Sequence, residues 1–375
     1  MKIRRFHQEL AAYLKPNKVL IIYGPRQVGK TTLIQDFLST YPQKYKLDSG
    51  DNIKTQNLLG SGDFDRIKEY AQGYPLIVID EAQKIRGIGQ ALKILVDQIP
   101  EIQVMATGSS SFDLAGQVGE PLTGRKTTLT LYPIAQLELK NIYNSYELKN
   151  NLEQYLIFGG YPEIAAAELK NEKIRLLEDL VQSYLFKDIL ELDRIKNSKI
   201  LLDLLRLLAF QIGKEVSLNE LGQQIHADHK TVARYLDLFE KTFVIYNLRG
   251  FSRNLRSEIV KKSKYYFYDN GVRNAIISNF NGLELRNDVG GLWENFLFME
   301  RLKKRSYQGI YANSYFWRTW EKQEIDLIEE REGKLFGFEF KWGKGYFKAP
   351  GQWIESYPQA SFEVINQENY LSFVH

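Results

Sequence analysis

The sequence contains no cysteine, and it has only four histidines, three methionines and ten prolines. The missing cysteines exclude disulfides and thiolate metal sites. No apolar run approaches the ~18 residues that a membrane span needs. The opening MKIRRFHQEL is charged and is not followed by an apolar stretch, so it does not read as a secretory signal. The expected compartment is the cytoplasm, with no membrane partner. Neither sign of charge dominates: 50 Lys and Arg stand against 46 Asp and Glu, a net +4. That balance permits nucleic-acid binding without arguing for it. There is no repeat of fixed period and no low-complexity tract. What is present is an ordinary globular composition, 44% hydrophobic and 26% charged. At ~150 residues per domain, 375 residues make two or three domains.

The first ~135 residues alternate short β-branched or apolar runs with helical patterns, the sign of a parallel sheet covered by helices. The runs are Lys18–Tyr23, Tyr45–Asp48, Leu76–Asp80, Gln103–Thr107 and Thr127–Leu131. Leu33, Ile34, Phe37 and Leu38 share one side of a helix expected over Thr31–Tyr41 and ended by Pro42. After Pro133 the pattern turns helical, with a break at Gly159-Gly160-Tyr161-Pro162. Ile200–Phe210 is apolar nearly all round and reads as a buried helix.

Gly24-Pro25-Arg26-Gln27-Val28-Gly29-Lys30-Thr31-Thr32 fits the phosphate-binding pattern G-x-x-x-x-G-K-[ST], with a strand before it and a helix after it. Glycines let main-chain amides turn inward around phosphates, and the helix N-terminus adds partial positive charge to the same anion. Lys30 is placed to reach the β- and γ-phosphates of ATP, and the Thr31 hydroxyl to ligate magnesium. Leu76-Ile-Val-Ile-Asp80-Glu81 ends a buried strand in two acids: Asp80 suits the magnesium shell, and Glu81 suits orienting or deprotonating water. Ser109, after Val104-Met-Ala-Thr107-Gly, either senses the γ-phosphate or caps the next helix. Arg125 is a candidate phosphate contact, in its own or a neighbouring subunit.

GPRQVGKTTL, LIVIDEAQK, MATGSS and LTGRKTTLTLYP, in this order, resemble the AAA-type ATPases of bacteria and archaea that carry a C-terminal domain of uncharacterised function. GGYPE at Gly159–Glu163 and the segment Tyr184–Asp188 resemble them as well. The resemblance implies an AAA core, a helical lid and action as a homo-oligomer.

Ser217–Ile225 reads as a short helix capped by Ser217 with Glu220 three residues on, and Lys230–Lys241 as a second helix with Val232, Tyr235, Leu236 and Phe239 inward. That is helix-turn-helix spacing, with His229, Lys230 and Arg234 outward. Downstream, Arg249, Arg253, Arg256, Lys261, Lys262 and Lys264 read as the wing of a winged helix, beside Tyr265, Tyr266, Phe267 and Tyr268. Basic residues among aromatics suit contacts to DNA, while such units also serve as protein interfaces.

Asp326, then twelve residues, then Glu339-x-Lys341 is the spacing of a hairpin that gathers two acids and a lysine on one face. With Glu294 on a preceding helix, these residues are similar to the PD-(D/E)XK nuclease-like superfamily, although Ile325 stands where that motif carries proline. The resemblance implies a divalent metal on Glu294, Asp326 and Glu339, with Lys341 beside it. The expected fold is α/β: an AAA-type P-loop core (1–135), a helical lid (136–212), a winged helix-turn-helix (213–285) and a restriction-endonuclease-like α/β domain (286–375). The expected function is magnesium-dependent ATP hydrolysis coupled to DNA binding, remodelling or processing. The alternatives are an ATP-dependent switch acting on a protein partner or promoter, and an ATP-gated nuclease.

Overall fold

Apolar runs become the strands β1 (Val19–Tyr23), β3 (Leu76–Asp80) and β4 (Gln103–Gly108), and more polar runs become β2 (Tyr45–Ser49) and β5 (Lys126–Thr130), in a computed structural model of the chain. The structure describes residues 3–109, 121–182, 189, 198–251, 263–319, 321–343 and 347–375. They fall into two units: Arg4–Tyr132 with Lys241–Phe243, and Met1–Ile3 with Pro133–Glu240 and Val244–His375.

In the first unit the sheet order is β2-β3-β4-β1-β5. Every pairing is parallel, so the loops that follow the strands gather at one edge of the sheet. β1 is buried along its whole length and β3 up to Asp80, as continuous apolar runs covered on both faces must be. Ile21, Ile79, Val104 and Ala106 pack with Leu92 and Leu95 of the helix Ile88–Gln98. Each fully buried aliphatic side chain contributes about 1.5–3 kcal/mol. The first helix runs Lys30–Ser39, one residue earlier at its start than expected and two earlier at its end.

The second unit opens with short helices, among them Leu152–Phe158, Pro162–Ala166 and Lys170–Leu180. Gly159, at φ 73°, ends the first of these, and a Cβ there would collide with the Asp269 carboxylate. Asp269 instead accepts the Gly160 amide at 2.7 Å. The helix Ser198–Phe210 buries Leu201, Leu204, Leu205 and Leu208. It is not buried all round, because Phe210 in its last turn is 63% exposed.

The helices Leu218–Gln224 and His229–Lys241 follow, within a residue of expectation. Ser217 holds the cap position of the first, but its hydroxyl accepts no capping hydrogen bond; Asp228 caps the second by accepting the Lys230 and Thr231 amides. Seven strands then share one sheet: β6 (Glu215–Val216), β7 (Ile245–Gly250), β8 (Ser263–Phe267), β9 (Asn313–Arg318), β10 (Glu324–Arg331), β11 (Lys334–Phe340) and β12 (Ser361–Ile365), in the order β12-β11-β10-β9-β7-β8-β6. β6–β8 come from the segment 213–285 and β9–β12 from 286–375. The two groups meet where β7 runs parallel to β9, through Arg249↔Tyr315 and Gly250↔Phe316. The helix Val289–Gln308 covers this sheet, with Trp293, Leu297 and Phe298 against Tyr266, Leu327 and Phe338. It also buries Arg301 in a two-pronged pair with Glu329, both bonds 2.9 Å. Among the described residues no helix is long and apolar enough to cross a membrane.

Candidate functional site

β1 delivers the chain into the loop 24–29, whose backbone takes conformations few side chains tolerate. Gly24 has φ 148° and presses on the backbone of Leu131, where a Cβ would strike the carbonyl oxygen. Gln27 and Gly29 also have positive φ, at 58° and 92°. This winding aims main-chain amides toward the start of the helix Lys30–Ser39, where its dipole is positive. Lys30 is buried, its Nζ donating to the carbonyls of Gly24 at 2.8 Å and Pro25 at 2.7 Å. Pro25 and Val28 are buried, Arg26 is half-buried, and Gln27, Thr31 and Thr32 are exposed at the rim.

The Thr31 hydroxyl donates to Asp80 Oδ2 at 2.8 Å, joining loop to acid across the β1 and β3 ends. The other Asp80 oxygen accepts the Thr107 hydroxyl, and the Glu81 amide donates to Thr107 Oγ1 at 3.1 Å. Thr107 stands in the same MATGSS run as Ser109, and it is the Thr107 hydroxyl that meets Asp80. Ser109 is buried just beyond β4, at the edge of the sheet that carries the loop. Glu81 takes a left-handed backbone (φ 50°, ψ 39°), and its carboxylate accepts Gln83 Nε2 at 2.7 Å and lies 4.0 Å from Lys84 Nζ. Thr31 and Asp80 offer hard oxygens side by side next to the phosphate loop, so the residues present fit a magnesium ion.

Arg125 requires correction as a phosphate contact within its own subunit. It immediately precedes β5, whose first residue pairs with Val19 at the start of β1. The loop lies beyond Tyr23, a strand's length away, roughly 15 Å. Arg125 Nε instead bonds Asp97 Oδ1 at 2.5 Å. Sequence reading also missed Arg5, which no local motif marks. Its guanidinium donates to the carbonyl of Val28 at 2.7 Å and of Tyr132 at 2.5 Å, fastening the loop from outside.

On the helix His229–Lys241, His229, Lys230 and Arg234 are exposed, as is Arg249 on β7. Arg253, Arg256, Lys261 and Lys262 lie outside the described residues, as does the Tyr184–Asp188 segment. Lys264 is not a wing residue: it sits on β8 and is 1% exposed.

The C-terminal hairpin forms as its spacing implies. β10 and β11 pair antiparallel with Leu327 opposite Phe338, which sets Asp326 opposite Glu339 one step further on. Glu339 and Lys341 share a face and pair at 2.6 Å. The acids do not fit a metal. Among the described residues no three or more acidic or histidine side chains are arranged to hold one. The physical reason is Lys264, whose Nζ stands 3.0 Å from Glu294, 2.5 Å from Glu324 and 3.6 Å from Asp326. Tyr266 donates to the same Glu294 oxygen at 2.6 Å. Burial pushes the carboxyls of Glu294 and Glu339 up to about 7, and that of Asp326 up as well. Burial also works against the charge on Lys264, but the surrounding groups outweigh it and hold the ammonium well above the usual lysine range.

Residues 16–140 match the AAA domain family. With its parallel sheet and phosphate loop, the first unit has an AAA-type P-loop core. Residues 149–283 and 289–350 match two domains of unknown function, DUF8612 and DUF4143. An uncharacterised protein of Mycobacterium tuberculosis is 26% identical over 326 residues, covering 86% of this chain and 70% of the relative. One from Haemophilus influenzae is 25% identical over 353 residues (88% and 83%), and one from Methanocaldococcus jannaschii is 23% identical over 356 (89% and 77%). Among solved structures, the Holliday junction branch migration motor RuvB of Thermotoga maritima aligns at TM-score 0.28 and 18% identity, covering 64% of this chain and 84% of that one. A signal transduction ATPase with numerous domains from Pyrococcus horikoshii aligns at TM-score 0.27 and 15% identity, covering 80% and 44%. Scores this low carry no argument from either protein to this one.

Proposed function

We propose that this chain binds ATP with magnesium at the loop 24–32 and hydrolyses it, and that its helix-turn-helix segment carries the nucleotide state to DNA. The observation supporting the first part is the meeting of Lys30, Thr31, Asp80 and Thr107 where β1, β3 and β4 end. Loop amides and Lys30 neutralise the triphosphate tail, with Lys30 exchanging its Gly24 and Pro25 carbonyls for phosphate oxygens. Thr31 and Asp80 hold magnesium, which when bound withdraws charge from the β- and γ-phosphate oxygens. Glu81 orients the attacking water, and Thr107 fixes the Asp80 carboxylate and the Glu81 backbone. Any phosphate contact from Arg125 comes from a neighbouring copy of the chain. The DNA role rests on the exposed His229, Lys230, Arg234 and Arg249.

Two measurements test this reading. Lys30→Ala should weaken ATP binding in calorimetry by about 100-fold or more, the cost of removing one partner of a buried charge pair. Turnover of the wild type should rise with duplex, single-stranded or branched DNA at low salt; an unchanged rate with all three removes the DNA role.

A second reading, a slow nucleotide-dependent switch, is favoured by one observation. The Glu81 carboxylate is engaged by Gln83 and Lys84 within its own turn. This reading expects turnover below about one per second and a severalfold rise in Gln83→Ala, where the acid is released. Fast wild-type turnover would rule it out.

A further inference from the structure

Glu294, Glu324, Asp326 and Glu339 come together from the helix Val289–Gln308 and from β10 and β11. Four buried or half-buried acids in one place repel each other and lose hydration, so they persist only with compensating positive charge. A divalent ion is one way to supply it. This chain supplies it covalently. Lys264 leaves β8, passes the ring of Phe316 with Nζ 5.6 Å from its centroid, and ends among Glu294, Glu324 and Asp326. Lys341 takes Glu339 at 2.6 Å, and Arg318 bridges Glu324 at 3.8 Å to Glu215 at 3.3 Å.

We infer that Lys264 is the built-in cation of this centre, standing where the nuclease-like arrangement would carry a divalent metal, and that the cluster is an ionic clasp and not a phosphodiester-cleaving site. The geometry gives the clasp a purpose. β8 touches neither β9 nor β10 in the sheet order, and its group of strands joins theirs through the short β7–β9 pairing. Lys264 spans that seam, tying β8 to β10 and to the helix Val289–Gln308. With three carboxylates within 4.0 Å of its ammonium, it leaves no place for a metal among them. The inference does not depend on the ATPase reading, since no residue of the P-loop takes part.

The test uses the full chain without nucleotide. Bound Mn2+, counted by electron paramagnetic resonance, should be the same in wild type and in Asp326→Asn. Loss of a bound Mn2+ in Asp326→Asn overturns the inference, because wild type would then hold a metal on that acid. In a second arm, Lys264→Met should melt about 10 °C lower than wild type, since removing one partner exposes buried like charges to each other. Millimolar Mn2+ should restore about half of that loss or more by binding the opened carboxylates, and adding Asp326→Asn should abolish the rescue. A Lys264→Met protein that melts with wild type, or whose loss Mn2+ does not repair, also overturns it. If Lys264→Met does not fold, the Mn2+ counts of wild type and Asp326→Asn decide alone.

Discussion

Asp80 in the first unit and Asp326 in the second both end up beside a polar partner at a sheet edge, but the partners differ in kind. Asp80 receives two hydroxyls, from Thr31 and Thr107. A hydroxyl orients a carboxylate and leaves its charge standing, so the acid keeps its attraction for a cation arriving from solution. Asp326 and its neighbours face an ammonium and a tyrosine hydroxyl, and their charge is answered inside the fold. Counting acids therefore does not identify a metal site. Whether the partner is neutral or cationic separates an acid poised for an ion from one already satisfied.

The comparison can be broken most sharply at Glu81. Glu81→Gln should lower the ATP turnover number by about 10²–10⁴, the usual worth of a positioned base, with ATP affinity nearly unchanged in calorimetry. Equal turnover would mean that the first centre does not use its second acid. Thr107→Val should lower kcat/KM about tenfold, because it removes a hydrogen bond to a charged group. A loss confined to protein stability would reduce Thr107 to packing.

The second centre should respond to pH. Burial raises Glu339 and Glu294 from the ordinary 4.5 to about 7. Between those values the folded chain keeps protons that the unfolded chain has released. Their contribution is thus fully present below about pH 4.5 and is lost as pH rises to about 7. Urea titrations across that window should show stability falling, with a shallower fall in Glu339→Gln. A slope unchanged by that substitution would remove Glu339 as its source. The smallest effect belongs to Arg125→Ala: the half-exposed Arg125–Asp97 pair should cost about 0.5 kcal/mol, and turnover of the isolated subunit should stay within about twofold.

The strands of the parallel sheet and the loop 24–32 were legible because each is local. A strand, a glycine turn and a helix occupy consecutive residues, and Asp80-Glu81 closes its own strand. The hairpin carrying Asp326 and Glu339 was legible for the same reason, since residue spacing fixes its register. What escaped was set by contacts distant in sequence. Lys264 looks like one more basic residue until β8 is placed beside the helix that carries Glu294. Arg125 sits five residues before the end of β5, which lies beside the phosphate loop, and only the parallel pairing of Lys126 with Val19 shows it at the opposite rim. Phe210 sits in an apolar run, and only the packed helix reveals which side of its last turn meets water.

The grip of Arg5 on the carbonyls of Val28 and Tyr132 has a practical consequence. The support of the loop begins some twenty residues ahead of the pattern by which it is recognised. A shortened chain starting at Lys18 would retain every letter of that pattern, yet it would lack the brace that keeps the loop wound. Poor ATP affinity in such a fragment would report a missing strut and not a defective motif.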